Sequence, residues 1–370
     1  MKKTAAILLS RQPLRPTGRD DWVRQSVAAI RWLKSEGYAI CSSLGMPTWD
    51  LLTAVASLEK MELKLFMLTD SARESAVEQE RAIAEFELDS ALVDFIPVGK
   101  HRESDAIESH RLLRDQAVVE AACLLIPVSV RGNGHMDRFL RKAGSRGKTV
   151  DERFRVSHQP RRQPLAYTID SHHLNPELHQ LTDKYLIHWT RASNSAWPTE
   201  WLIDYYLAII QSEDYPHSGF CTLLNILATG RLVASGKKMP GGIKTVSFSA
   251  TTPADMVSLM RWRSRYRQMS FEPYGIGIER EQAVLSGIRP VEYSTVDHKL
   301  SAGAATWLSQ SIGRKTDWRA EQEYRFRGDL DMSVIPTERL IAVCRTSDEA
   351  AIIEKTGGVR AVPFLSEQET

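Results

Sequence analysis

Through the first 150 residues, short apolar runs alternate with helical patterns of apolar positions. The runs AAILLS (5–10), YAICSSLG (38–45), LKLFMLT (63–69), ALVDFIPV (91–98) and ACLLIPVSV (122–130) have the length of strands. Val23, Ala28, Ile30 and Leu33 fall into helical spacing within 19–36, and TWDLLTAVASLEK (48–60) reads as a helix opened by Thr48. Apolar strands separated by helices predict a mainly parallel α/β sheet with helices on both faces.

The rhythm breaks at 147–180, a polar and basic stretch with three prolines, predicted as a linker over 151–180. From 181 onward KYLIHWTR, TVSFSA, YGIGIE, RPVEYS, EQEYRFR and LIAVCR supply short strands. Helices are predicted over 199–213, within 219–235 and over 252–267. Residues 181–370 thus read as an α+β domain built on short strands, and a chain of 370 residues suits two domains.

Hydrophobic content of 42%, charged content of 25% and a net charge of +2 are ordinary for a globular protein and favour no partner class. The apolar run Thr4–Leu9 is too short for a signal core or a membrane span and is expected to be the first strand. Cys41, Cys123, Cys221 and Cys344 form no CxxC pair. A reduced, cytoplasmic protein without a metal site or a membrane partner is the expectation.

Three places carry candidate chemistry. CSSLGMPTWDLLTAV follows a strand and precedes a helix, so Ser43 and Gly45 stand where a parallel sheet's carboxyl edge can hold phosphate. LIHWTR places His188 and Thr190 on one strand face, TVSFSA does the same for Ser247 and Ser249, and EQEYRF for Glu321 and Glu323. A histidine, a hydroxyl and a glutamate gathered by a sheet can grip a ribose and stabilise a cationic sugar, or move a proton. Between these anchors, Arg261, Arg263, Arg265 and Arg267 alternate with Trp262 and Tyr266, a pattern suited to phosphates and unpaired bases. Each place has a plainer reading: a strand–turn–helix connection, an interior histidine with solvated carboxylates, and an Arg-rich helix paired to acids.

HRLLRDQAVVEAACLLIPVSVRGNGHMDRFLRKA (110–143), with SSLG (42–45), resembles the Rossmann-like nucleotide-binding domain shared by DNA-processing proteins of the DprA type and lysine-decarboxylase-like phosphoribohydrolases. The resemblance implies nucleotide, phosphate or DNA-end binding through Ser43, Gly45, Arg114, Arg131, Gly132 and Asn133. RGNGHMDR lacks the glutamate of the hydrolase motif, so hydrolase chemistry is not expected.

The order His188–Thr190, Ser247 or Ser249, then Glu323 resembles the ADP-ribosyltransferase fold, with Trp189 where relatives carry glycine. That resemblance implies NAD as cofactor, held by Thr190, Ser247 and Ser249, with His188, Glu323 and Glu321 as catalytic groups. DWRAEQEYRF (317–326) is also similar to uncharacterised proteins linked to phage defence. The expected function is that of a nucleotide- or nucleic-acid-directed enzyme, either an ADP-ribosyltransferase or a base-modifying enzyme acting on DNA without NAD. The rival is a non-catalytic nucleotide sensor or DNA-binding protein.

Overall fold

The computed structural model describes residues 3–99, 107–159, 167, 169, 173–237, 239–264, 268–295, 306–312, 317 and 319–366, with only the backbone of 107–109, 240 and 295. The chain forms two compact units, one of Met1–Arg162 with Asn194–Pro216, the other of Gln163–Ser193 with His217–Thr370.

The first unit is a Rossmann-like α/β domain. Strands β1 (Thr4–Leu9), β2 (Ala39–Ser43), β3 (Leu63–Leu68), β4 (Val93–Val98), β5 (Leu124–Ser129) and β6 (Thr149–Val150) form a six-stranded sheet. All pairs are parallel, in the order β4-β3-β2-β1-β5-β6. Every residue of β1, β2 and β5 is buried, as central parallel strands covered on both faces require. The edge strand β4 is only partly covered. Helices α1 (Asp21–Ser35), α2 (Pro47–Leu58), α3 (Ala72–Phe86), α4 (Ile107–Ala121) and α5 (His135–Ser145) connect the strands. Strand order reverses between β1 and β5, so the turns after these two strands leave the sheet in opposite directions and open a crevice at its carboxyl edge.

The helix Leu202–Gln211 was expected in the second domain, but it packs into the first. Ile203, Tyr205, Tyr206 and Ile209 join the core of β1, α1 and α2. The returning segment also meets the long turn after β1 through Gly18, whose N–H donates to Ser212 O at 2.8 Å. A Cβ at Gly18 would stand 2.4 Å from Ile210 O, so only glycine permits this approach. Helical periodicity identifies the apolar face of this segment and is silent on which core receives it.

The second unit has short strands and mixed sheets. Its main sheet runs Arg289–Pro290, Glu323–Arg327, Thr245–Ser249, Tyr185–Trp189, Gly275–Glu279, Leu340–Cys344 and Ala361–Pro363. Only the last pair is parallel. One face buries Leu186, Phe248, Ile276 and Ala342; the other buries Ile187, Trp189, Ile341 and Val343 with Phe364. Alternate residues therefore serve separate cores, which explains why a strand such as LIAVC (Leu340–Cys344) is apolar without interruption.

The expected helix 252–267 is broken. A short helix, Pro253–Met256, is followed by a 3-10 turn, Val257–Leu259, and then by paired strands Trp262–Arg263 and Gln268–Met269. Beyond Met260 the sequence offers arginine at every second position and no apolar helical stripe, so the alternation wins. No helix among the described residues is long and apolar enough to cross a membrane.

Candidate functional site

In the second unit, strand register decides which of the expected catalytic groups meet. Arg325 pairs with Ser247 and Glu323 with Ser249, so these four residues share one sheet face. Ser247 Oγ donates to Glu323 Oε1 at 2.7 Å. Arg325 donates to both carboxylate oxygens, Nε to Oε1 and Nη2 to Oε2, each at 2.8 Å. Arg325 is 3% exposed and also donates to Trp307 O, Ser309 O and Gln310 Oε1. The glutamate is thus held by a serine and a bidentate guanidinium.

His188 pairs with Ile276 and lies on the other face, its ring edge-on to Phe248 with centroids 5.8 Å apart. It reaches the serine strand through the backbone, with Nδ1 2.8 Å from Ser247 O. A carbonyl only accepts, so Nδ1 carries the proton and Nε2 keeps its lone pair. Burial pushes the His188 imidazole below its ordinary value, against the opposing pull of the Ser247 bond. The expected convergence of His188, Ser247 and Glu323 in one place is therefore corrected: the side chains of Ser247 and Glu323 meet, and His188 reaches Ser247 through its backbone carbonyl from the other face.

Three further expectations are corrected here. Glu321 closes a 3-10 turn, Arg319–Glu321, and Gln322 takes φ +41°, so Glu321 does not share a strand face with Glu323. Ser249 Oγ donates to Glu321 O at 2.6 Å and accepts from Thr251 N–H, which commits it to shaping that turn. Thr190 is buried past the strand end, with its backbone bonded to Tyr274 O and Glu272 N–H. In the basic hairpin Arg261 is exposed, while Trp262 and Arg263 are half-buried; Arg265, Tyr266 and Arg267 lie outside the described residues.

In the first unit, Arg114 is 3% exposed and braces the turn after β2. Its Nη1 donates to Leu44 O at 2.8 Å, its Nη2 approaches Met46 Sδ, and Asp115 takes the remaining bonds. Asp115 also accepts from Trp49 Nε1. Ser43 is fully buried and donates to Phe66 O. Both residues, expected to touch a ligand, are internal supports. A buried guanidinium with no acceptor capacity must be ringed by acceptors, and a serine in a central strand has no route outward.

Gly45, at φ +82°, has open space around it, and its N–H donates to Asp50 Oδ1 at 2.8 Å. Burial raises Asp50 to about 7, against the opposing effects of Gly45 N–H and Arg114. After β5, Gly132 is exposed with open space around it. Asn133, at φ +60°, gives its N–H to Asp137, and its side-chain oxygen accepts from Arg141, so both groups serve the helix end.

The sequence reading missed a polar cluster between β1 and β5. Gln12, 7% exposed, brings Nε2 to Ser10 O at 3.0 Å, Ser129 Oγ at 3.0 Å and Ser129 O at 3.3 Å. His158 Nδ1 lies 3.3 Å from Ser129 Oγ, and Ser10 Oγ accepts the Arg131 N–H at 2.8 Å. Gln12 and His158 are 146 positions apart, and no local pattern links them. Arg325 did leave a signal: it follows Glu323 by two, the spacing of one strand face. Among the described residues no three His, Cys, Asp or Glu side chains form a group able to hold a metal ion.

Against known proteins, the chain matches no protein-family model and no curated protein. Among solved structures, its N-terminal part is similar to DNA processing protein A from Streptococcus pneumoniae, at 10% identity and a TM-score of 0.30, over 40% of this chain and 49% of that one. A second likeness is to DNA processing protein A from Helicobacter pylori, whose single-stranded DNA binding mode has been described. There the identity is 14% and the TM-score 0.29, over 40% of this chain and 63% of that one. The chain spans about half to two thirds of the length of these proteins.

Two measurements test the geometry. Arg325→Met leaves the Glu323 carboxylate desolvated and without its cation, and is expected to cost about 3 kcal/mol in urea unfolding. Adding Glu323→Met to it should return part of that loss; a double variant at least as unstable as the sum of the singles would contradict the pairing. Asp50 has a folded pKa of about 7 against an ordinary value of 3.8, so the folded chain holds its proton more tightly. The stability this contributes is complete below the lower value and is lost as pH rises through the upper one. The melting temperature of Asp50→Asn relative to the parent should therefore climb between these two values and level off above, whereas a pH-independent difference would refute the assignment.

Proposed function

We propose that this chain is a nucleotide- or nucleic-acid-directed binding protein, with its ligand at the carboxyl edge of the first unit's sheet. The observation that supports the reading is the reversal of strand order between β1 and β5 at a polar crevice. Its turns carry the open glycine Gly132 and an exposed Arg131. Parallel sheets bind ligands at such reversals, and the N-terminal turn of α5 has no side-chain cap. In the second unit the exposed Arg261, with Trp262 and Arg263 on the same hairpin, suits a phosphate backbone.

Catalysis is the second reading, and one contact favours it: the 2.7 Å bond from the exposed Ser247 to Glu323, which orients the carboxylate. In that reading Glu323 stabilises a sugar cation derived from NAD. The bidentate hold of Arg325 and the displacement of His188 weigh toward binding without chemistry.

Fluorescence anisotropy with labelled single-stranded DNA, duplex DNA and RNA tests the first reading. Affinity should fall at least ~10-fold between about 50 and about 200 mM salt, and Arg261→Gln with Arg263→Gln should flatten that slope. Absence of binding to every oligonucleotide at low salt would remove the nucleic-acid reading. For the second reading, NAD turnover should be present and should vanish in Glu323→Gln. No turnover together with no heat of NAD binding would end it.

A further inference from the structure

Helix α3 turns a self-complementary face to solvent. Its fifteen residues bury Ser75, Ala82 and Phe86 along one stripe. On the opposite side Arg73, Val77, Glu80 and Ala84 are exposed, and the exposed Glu87 follows at the C-cap. These positions recur at steps of four and three residues, the spacing by which two helices meet along their length. Val77 is 57% exposed. Beside the last turn stands Trp201, 52% exposed, held there by the N–H of Leu202, which donates to Glu85 Oε2 at 3.2 Å. An open valine and an open tryptophan beside small and charged residues have the make-up of an association surface.

The charges on this face say what covers it. A helix is positive at its start and negative at its end, so anions are favoured at the first turn and cations at the last. On the exposed line of α3 the order is reversed: Arg73 stands in the first turn, Glu87 closes the helix, and the last turn holds no basic residue. Glu74, the acid of the first turn, is engaged by the Asp70 N–H. Among the described residues Arg73, Glu80 and Glu87 form no ion pair, and Arg81 forms one, with Glu78 of its own helix at 3.2 Å. A helix of the same sequence running the other way corrects both ends at once. Its Glu87 and the negative end of its dipole meet Arg73, and its Arg73 meets Glu87. A parallel copy would set arginine on arginine and glutamate on glutamate.

We propose that the occupant of this face is a second copy of this chain, its α3 lying antiparallel on the first across a two-fold axis between Glu80 and Arg81. Val77 then packs between Ala84 and Trp201 of the other copy. Arg73 pairs with the other copy's Glu87, and Glu80 comes within reach of its Arg81. Each contact occurs twice, as an isologous interface requires. The short side chain of Ala84 is what lets the two helices approach.

Sedimentation equilibrium on the full chain tests this. A monomer–dimer equilibrium with a dissociation constant of about 1–100 μM is expected, because one helix and one tryptophan from each copy make a small interface. Val77→Glu sets a carboxylate against Ala84 and Trp201 and should weaken the dimer at least ~10-fold. Arg73→Glu should weaken it too, and adding Glu87→Arg should recover part of that loss. An oxidised mixture of Val77→Cys and Ala84→Cys proteins should cross-link at those two positions faster than either protein alone, which reads the register directly. All these side chains are exposed, so the variants should melt with the parent. A chain that stays monomeric up to about 200 μM, twice the upper end of the expected range, overturns the proposal. So does a dimer that Val77→Glu and Arg73→Glu leave unchanged, which would place association on another surface. A charge-swapped pair no tighter than Arg73→Glu alone overturns the antiparallel arrangement.

Discussion

A guanidinium has five donors, no acceptor and no neutral form at ordinary pH, so burying one fixes everything around it. Among the described residues each unit buries one such group, Arg114 in the first and Arg325 in the second, each 3% exposed. Arg114 pins the backbone turn after β2 to α4 by way of Leu44 O and Asp115. Arg325 ties the strand Glu323–Arg327 to Trp307, Ser309 and Gln310 while holding Glu323 by both oxygens. The arginines are frameworks, and the open positions lie beside them.

Around Arg114 the consequence is a turn in which Asp50 holds the Gly45 N–H and Ser43 is turned into the sheet. The returning helix adds Tyr206 close enough to Asp50 for the carboxylate's charge to oppose ionisation of the buried phenol. Around Arg325 the consequence is a glutamate oriented as a catalyst would be and neutralised as a structural pair would be. Register separates it from His188, since adjacent residues of a strand face opposite ways, and the histidine's partner in register, Ile276, and its same-face neighbour on the strand, Leu186, belong to the other core.

Much of the architecture was legible because burial on both faces leaves nearly uninterrupted apolar runs, and these marked the central strands β1 and β5 in the sequence. The strand positions of His188, Ser247 and Glu323 were legible too, from short apolar alternation. Their faces were not. Face depends on register between strands, and Ile187 opposite Ser249 is the single register pair joining the histidine and serine strands. The helix 252–267 was misread because Met256, Leu259 and Met260 imitate a helical stripe that Pro253–Met256 alone fulfils.

By itself the sequence determined which segments are apolar, and therefore the α/β character of one part and the short-stranded character of the other. Tertiary structure alone decided that Asn194–Pro216 returns to the first unit, that Arg114 and Ser43 face inward, and that Gln12, Ser129 and His158 meet. The reason is physical. Secondary structure follows from interactions within a few positions of the chain. A polar site follows from unsatisfied groups brought together across 146 of them.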